Sequence, residues 1–246
     1  MARDIAKQKE QALTNIDFSA DADDGLGDLT SQDYAIPYLT LLQKMSPQID
    51  THDMKAGQIF NTVSEVGYDE ITVIPCAYKR NFVEWIPREQ GGGLVGVHEI
   101  DSPTVAGASR VEGKLMSMNG NQLVETANHF VLAHPVDDEV NTERALIVMT
   151  STQLKKNRRW NSLIAGIKMQ TKAGAMYTPA RFSHKYKLSS TLEKNEKGSW
   201  YGWNIELIGP VENAHLYATA KDFGHTAFAN QQGPLPPEQA DDIPQF

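Results

Sequence analysis

The chain has one cysteine, no apolar run long enough to cross a membrane, and not a single Asp or Glu between Arg144 and Leu192. Each absence excludes something. The lone Cys76 cannot build an internal disulfide framework and fits a reducing compartment. Its place in the run Ile71-Thr72-Val73-Ile74-Pro75-Cys76 reads as a small buried hydrophobe. Without roughly 18 consecutive apolar residues no membrane helix is expected. The opening Met1-Ala2-Arg3-Asp4-Ile5 lacks the apolar centre of a secretory leader. The expectation is a soluble protein, intracellular or packaged in a particle. The missing carboxylates say more. Ten Lys or Arg fall between Arg144 and Leu192, in a chain whose formal net charge is -8. A regular polyanion is attracted to such a surface by counterion release, while the acidic remainder repels accidental partners. Nucleic acid is the expected partner.

Catalytic constellations are also missing. Asp101 with Glu112-Gly113-Lys114 only loosely matches the acidic pattern by which nucleases hold a divalent metal. His129 and His134 have no cysteine partners for a zinc set. Gly91-Gly92-Gly93 lacks the Gly-Lys-Ser/Thr ending of a phosphate-binding loop and reads as a hairpin tip that could close over a bound strand. Asp137-Asp138-Glu139 reads as a solvated connection. No enzyme, metal or cofactor is expected.

What is present divides the chain in three. Residues 1–33 form an acidic arm with Asp17, Asp21, Asp23, Asp24 and Asp28, and room for a short helix over Ala6 to Leu13. Residues 34–226 hold a single domain, and 227–246 a flexible acidic tail. Within the domain, Tyr34, Tyr38, Leu41, Leu42 and Met45 make a helical stripe ended by Pro47. Strands are expected over Gln58 to Glu65, Glu70 to Tyr78 and Arg80 to Arg88. Lys114 to Met118 and Gln122 to His134 flank the hairpin signal Asn119-Gly120-Asn121. Arg144 to Thr150 reads as a strand, and Ser151-Thr152 cap a helix running to about Gln170. Arg181 to Leu192 and Ser199 to Ile208 form a second hairpin, and a helical stretch over Glu212 to Lys221 leads into the tail. The fold class is α+β and β-rich. A helix between the third and fourth strands fits an elaborated OB-like barrel.

The basic segment offers a binding surface in parts. Lys155, Lys156, Arg158 and Arg159 crowd the first turns of the helix, against its dipole. Alternation along the next strand puts Arg181, Ser183, Lys185 and Lys187 on one face and Phe182, Tyr186 and Leu188 on the other. Trp200 falls opposite Tyr201, Trp203, Ile205 and Leu207, and is the ring placed for base stacking. Trp160 belongs with Ile164 and Ile167 in the core. Lys79 and Arg80 could extend the surface, with Lys168 and Lys172 adding diffuse charge.

The chain ends Asp241-Asp242-Ile243-Pro244-Gln245-Phe246, after Gly233-Pro234-Leu235-Pro236-Pro237. This end resembles the C-terminal tip of bacterial single-stranded-DNA-binding proteins, with Gln245 inserted before the terminal aromatic. The segments Ile36-Pro37-Tyr38-Leu39, Lys44-Met45-Ser46-Pro47-Gln48, Phe82-Val83-Glu84-Trp85-Ile86-Pro87-Arg88 and Gln90-Gly91-Gly92-Gly93 are similar to a tailed-phage family associated with replication modules. The resemblance implies a single-stranded-DNA-binding protein in the cytoplasm of an infected bacterium. It also implies that Asp241, Asp242, Ile243, Pro244 and Phe246 recruit replication or recombination proteins. A strand-annealing recombination protein, which acts as an oligomer of identical chains, and a virion structural protein remain as alternatives.

Overall fold

The computed structural model describes residues 18–21, 24, 25, 27, 33, 35–136, 138–196 and 198–229. The chain divides into two units, 1–35 and 36–246. Of the first, the described part includes a short 3-10 turn, Phe18–Asp21. The expected Ala6 to Leu13 helix and the tail tip lie outside the described residues.

The second unit is strand-rich α+β. Its strands are β1 (Leu39–Leu41), β2 (Ile59–Asn61), β3 (Gly67–Tyr68), β4 (Glu70–Trp85), β5 (Leu94–His98), β6 (Ser109–Val111), β7 (Lys114–Met116), β8 (Gln122–Pro135), β9 (Glu143–Thr150), β10 (Met169–Gln170), β11 (Met176–Tyr177), β12 (His184–Asn195) and β13 (Gly198–Pro210). Helix α1 (Leu154–Gly166) lies between β9 and β10, and α2 (Ala214–Ala229) follows β13. Gln48–Thr51 and Pro103–Ala106 are single helical turns.

One long antiparallel ribbon, β4 with β8, organises the main sheet. Strand β12 pairs with the Glu70–Val73 end of β4, and β5 with its Phe82–Trp85 end. On β8, β9 pairs from Thr126 to Ala133, while β7 pairs at Gln122 and Leu123. Two sub-sheets therefore share the ribbon: β13-β12-β4-β8-β9 at one end and β5-β4-β8-β7-β6 at the other. Pro75 has no N–H to donate, and the ladder shifts register between Pro75 and Ala77.

Among the described residues β9 and β13 share no ladder, so the first sub-sheet stays open. Glutamine side chains satisfy the β13 edge instead. Tyr201 N–H donates to Gln43 Oε1 at 2.8 Å, and its carbonyl accepts from Gln43 Nε2 at 3.0 Å. Trp203 N–H donates to Gln153 Oε1 at 3.2 Å. Part of an otherwise bare strand edge is thereby satisfied.

Both faces of the ribbon are buried. One side packs Ile71, Val73, Val131, Ile147, Tyr186 and Trp203 with Leu39 and Ile59 of the small sheet and Trp160 and Ile164 of α1. On the other, Ile74, Cys76, Phe130, Leu132 and Leu146 meet Leu216, Ala220 and Phe223 of α2. Double burial explains why β4 and β9 read as continuous apolar runs rather than alternating ones. It also pushes the Cys76 thiol up to about 12, which keeps it unreactive.

Several expectations need correction. The helix over 34–45 does not form: Leu39–Leu41 is a strand, paired with Ile59–Asn61. Its apolar residues satisfy a buried edge, with Leu42 at 1% exposure, and Met45 is left at 84%. The strands expected over 70–78 and 80–88 are one sixteen-residue strand. The helix expected to reach Gln170 ends at Gly166, where Ile167 turns extended. Arg181–Ser183 is a 3-10 turn, so the following strand starts at His184.

Gly224 lets α2 approach the ribbon, since an added Cβ would lie 2.7 Å from the Cys76 carbonyl oxygen. Gly224→Ala would gain about 1 kcal/mol in helix propensity. The clash is with central-strand backbone, where overpacking costs about 1–3 kcal/mol. A net loss of stability on urea unfolding is expected; a stabilised variant would show that α2 is not seated this closely.

Candidate nucleic-acid interface

Helix α1 has a buried and a solvent side. Asn157, Trp160 and Ile164 face the core, while Lys155, Arg158, Arg159 and Ser162 recur at helical spacing on the exposed side. Ser151 and Thr152 do not cap it. Gln153 precedes the helix without a side-chain cap bond, because its amide is spent on the β13 edge. Cations near an uncapped N-terminus oppose the helix dipole. Among the described residues, Lys155, Arg158 and Arg159 have no ion-paired carboxylate, and Lys168 and Lys172 beyond the helix are also exposed and outside any ion pair.

The remaining cations of the expected surface differ. Lys156 is ion-paired with Glu193 of β12. The other Glu193 oxygen accepts from Trp200 Nε1 at 3.0 Å, across the β12–β13 ladder. Gly202 leaves room for this carboxylate: a Cβ there would sit 3.0 Å from Glu193 Cδ. Trp200 is half-buried, and Glu193 joins it to Lys156. Lys185 and Lys187 share one face of β12, opposite buried His184, Tyr186 and Leu188, as alternation requires. Lys185 pairs with Glu139 at 2.8 Å, and Lys187 with Glu70 and Glu206, each at 3.6 Å. On β4, Lys79 pairs with Glu99 at 2.7 Å and Arg80 with Glu125 at 3.6 Å. These four cations lie on other elements, each already facing a carboxylate.

Arg181 is not a strand side chain. Its guanidinium lies over the Tyr78 ring at 5.3 Å and donates to Asn161 Oδ1 at 2.9 Å and His129 Nδ1 at 2.7 Å. His129 therefore carries its proton on Nε2 and donates to Asn157 Oδ1 at 2.8 Å, with its ring stacked on Trp160 at 4.4 Å. Every partner of this guanidinium is neutral, and burial pushes its pKa down to about 10. The network ties α1 to β8 and the 3-10 turn, so Arg181 braces the basic helix from beneath. Trp160 is fully buried, as its helical spacing implied.

Two features escaped the sequence. The His129–Asn157–Arg181 network joins residues too far apart in the chain for any spacing rule. The β10–β11 hairpin has strands of two residues, below the reach of periodicity; its one signal is Gly174, whose φ of +88° suits the turn. Among the described residues there is no cluster of three His, Cys, Asp or Glu able to hold a metal, and no helix is long and apolar enough to cross a membrane.

The buried imidazole makes stability depend on pH. Burial first, then the Arg181 charge, holds His129 well below the ordinary value of 6.5. Below pH 6.5 the unfolded chain binds a proton that the fold refuses, so stability falls as pH drops. The slope is about 1.4 kcal/mol per pH unit. His184, also lowered by burial, adds the same sign. Urea midpoints measured from pH 8 to pH 5.5 should fall on the acid side, and His129→Gln should flatten that slope; equal slopes in both proteins would contradict the buried neutral imidazole.

The model of the Pam3 phage gp34-like protein family matches residues 7–232. No curated protein and no solved structure matches at a significant level. Among the described residues the matched span takes in every strand and both long helices, and so the chain belongs to the Pam3 phage gp34-like protein family.

Proposed function

We propose that this chain is a sequence-independent single-stranded-DNA-binding protein of phage replication or recombination, acting without catalysis in the host cytoplasm. The observation that carries the reading is a run of exposed cations on and just after α1, in the one long stretch of the sequence without an acid. Lys155, Arg158, Arg159, Lys168 and Lys172 are exposed within a stretch that has no carboxylate, whereas Lys79, Arg80, Lys156, Lys185 and Lys187 each pair with one. An acidic protein that leaves three exposed cations of one helix without carboxylate partners retains counterions there that a phosphate backbone displaces.

The strand order supports an elaborated, partly open OB-like barrel. Strands β4, β8 and β9 form a meander, α1 follows the third strand, and the β12–β13 hairpin returns with β12 beside β4. The gap falls between β9 and β13, where Gln43 and Gln153 bond to the β13 edge. OB domains commonly bind oligonucleotides across their second and third strands. Here α2 packs over Phe130 of β8 and Leu146 of β9, which favours α1 and its flanks as the binding side. The tip residues Asp241, Asp242, Ile243, Pro244 and Phe246 would compete with DNA for these cations and, once displaced, recruit a replication partner.

Reversing Lys155, Arg158 and Arg159 to Glu should weaken binding to every sequence. It should also flatten the salt dependence by about 2, at roughly 0.7 per phosphate released. Lys185→Gln with Lys187→Gln should change the slope little, because those cations are paired within the fold. An unchanged slope in the folded triple variant would remove α1 from the site. Deleting residues 241–246 should tighten binding at low salt and lose that gain at high salt; equal affinities at low salt would reduce the tip to a passive end.

A further inference from the structure

The β10–β11 hairpin holds itself together without a core. Met169 pairs with Tyr177 and Gln170 with Met176. The turn is closed by Thr171 N–H to the Ala175 carbonyl and Gly174 N–H to the Thr171 carbonyl, both at 2.9 Å, and by Gln170 Nε2 to the Gly174 carbonyl at 3.0 Å. Yet every residue from 168 to 178 is exposed, including Met176 at 63% and Tyr177 at 43%. An isolated two-stranded hairpin is only marginally stable in water, and apolar groups held out on one mark a contact surface. The charge around it identifies the contact. Lys168 and Lys172 lie within or beside the hairpin, it leaves directly from the C-terminal end of α1, and the acid-free stretch runs past it on both sides.

A planar exposed ring paired across the hairpin with Met169, among cations and in a stretch of sequence without Asp or Glu, matches the chemistry of an unpaired base and its phosphates. Trp160 and Trp200 are committed elsewhere. Trp160 lies in the core, and the Trp200 N–H is held by Glu193 at 3.0 Å. We propose that β10–β11 is a base-stacking arm, with Tyr177 as the ring on which a base of single-stranded DNA stacks and Lys168 and Lys172 meeting the adjoining phosphates. This rests on the reading of α1 as a single-strand interface. It adds the source of selectivity: bases in a duplex already stack on one another, so Tyr177 gains a partner only on a single strand.

Binding of a fluorescent thymidine homopolymer by the full chain, titrated across salt, tests the arm. Tyr177→Ala should weaken affinity about 5- to 150-fold, the equivalent of losing one stacked base. Its salt slope should stay that of the parent, because no charge is removed, and its melting temperature should be unchanged, because the ring is exposed. Tyr177→Phe should bind like the parent. An iodouracil-substituted homopolymer should photocrosslink to the peptide that carries Tyr177. Parental affinity in Tyr177→Ala, equal weakness in Tyr177→Phe, or crosslinks that avoid this peptide would each overturn the arm. A parent that binds and an α1 reversal that flattens its slope would leave the interface reading intact in that case. Failure of the parent itself to bind at any salt would overturn the interface reading.

Discussion

Nearly everything in this domain depends on the pairing of β4 with β8. That ribbon is long enough to serve two sub-sheets, and its two faces are covered by different parts of the chain, α1 with the β1–β2 sheet on one side and α2 on the other. Burial on both faces fixes its register, since a one-residue slip would exchange two apolar sides that meet different partners. The shift at Pro75 is the local concession that allows a proline inside a central strand. Once the ribbon is set, β9 and β12 find their positions on its outer edges, and α1 spans the connection between them.

The basic helix is held by this arrangement rather than by its own sequence. A cation-rich, uncapped N-terminal half gains little as an isolated helix. Trp160 and Ile164 supply apolar anchorage, and the Arg181–His129–Asn157 network adds a polar brace beneath it. A buried guanidinium with only neutral partners is costly. Its position beneath α1 contributes positive potential to the same region without placing another flexible side chain on the surface. On β4 and β12 carboxylates are set against Lys79, Arg80, Lys185 and Lys187, whereas among the described residues Lys155, Arg158 and Arg159 of α1 and Lys168 and Lys172 after it lie outside any ion pair.

Patterns confined to neighbouring residues were legible in the sequence. The Asn119-Gly120-Asn121 hairpin and the placing of Trp160 and Ile164 on the inward side of α1 follow from local periods and are found, while the alternation expected over Arg181 to Leu188 holds only from His184 onward. The stripe at Tyr34, Tyr38, Leu41, Leu42 and Met45 misleads because a short strand beside an edge can bury Leu39 and Leu42 just as well. The two strands expected on either side of Lys79 are one, because β8 pairs through this position, and Glu99 and Glu125 pair with Lys79 and Arg80. The ion pairs were the least legible feature. Glu139, Glu70, Glu206 and Glu193 reach the lysines from other strands, turns and hairpin partners, so the sequence displays the full basic count while the fold leaves only part of it unpaired.

We propose that the cations of α1 outside any ion pair meet the phosphates of an unpaired strand. The most direct measurement of this claim compares a thymidine homopolymer with a duplex of equal length, bound to the full chain over a range of salt concentrations. The account predicts tighter binding to the single strand at every salt, with affinity falling linearly as the logarithm of salt rises. Equal affinity for both, or binding to neither, would contradict it.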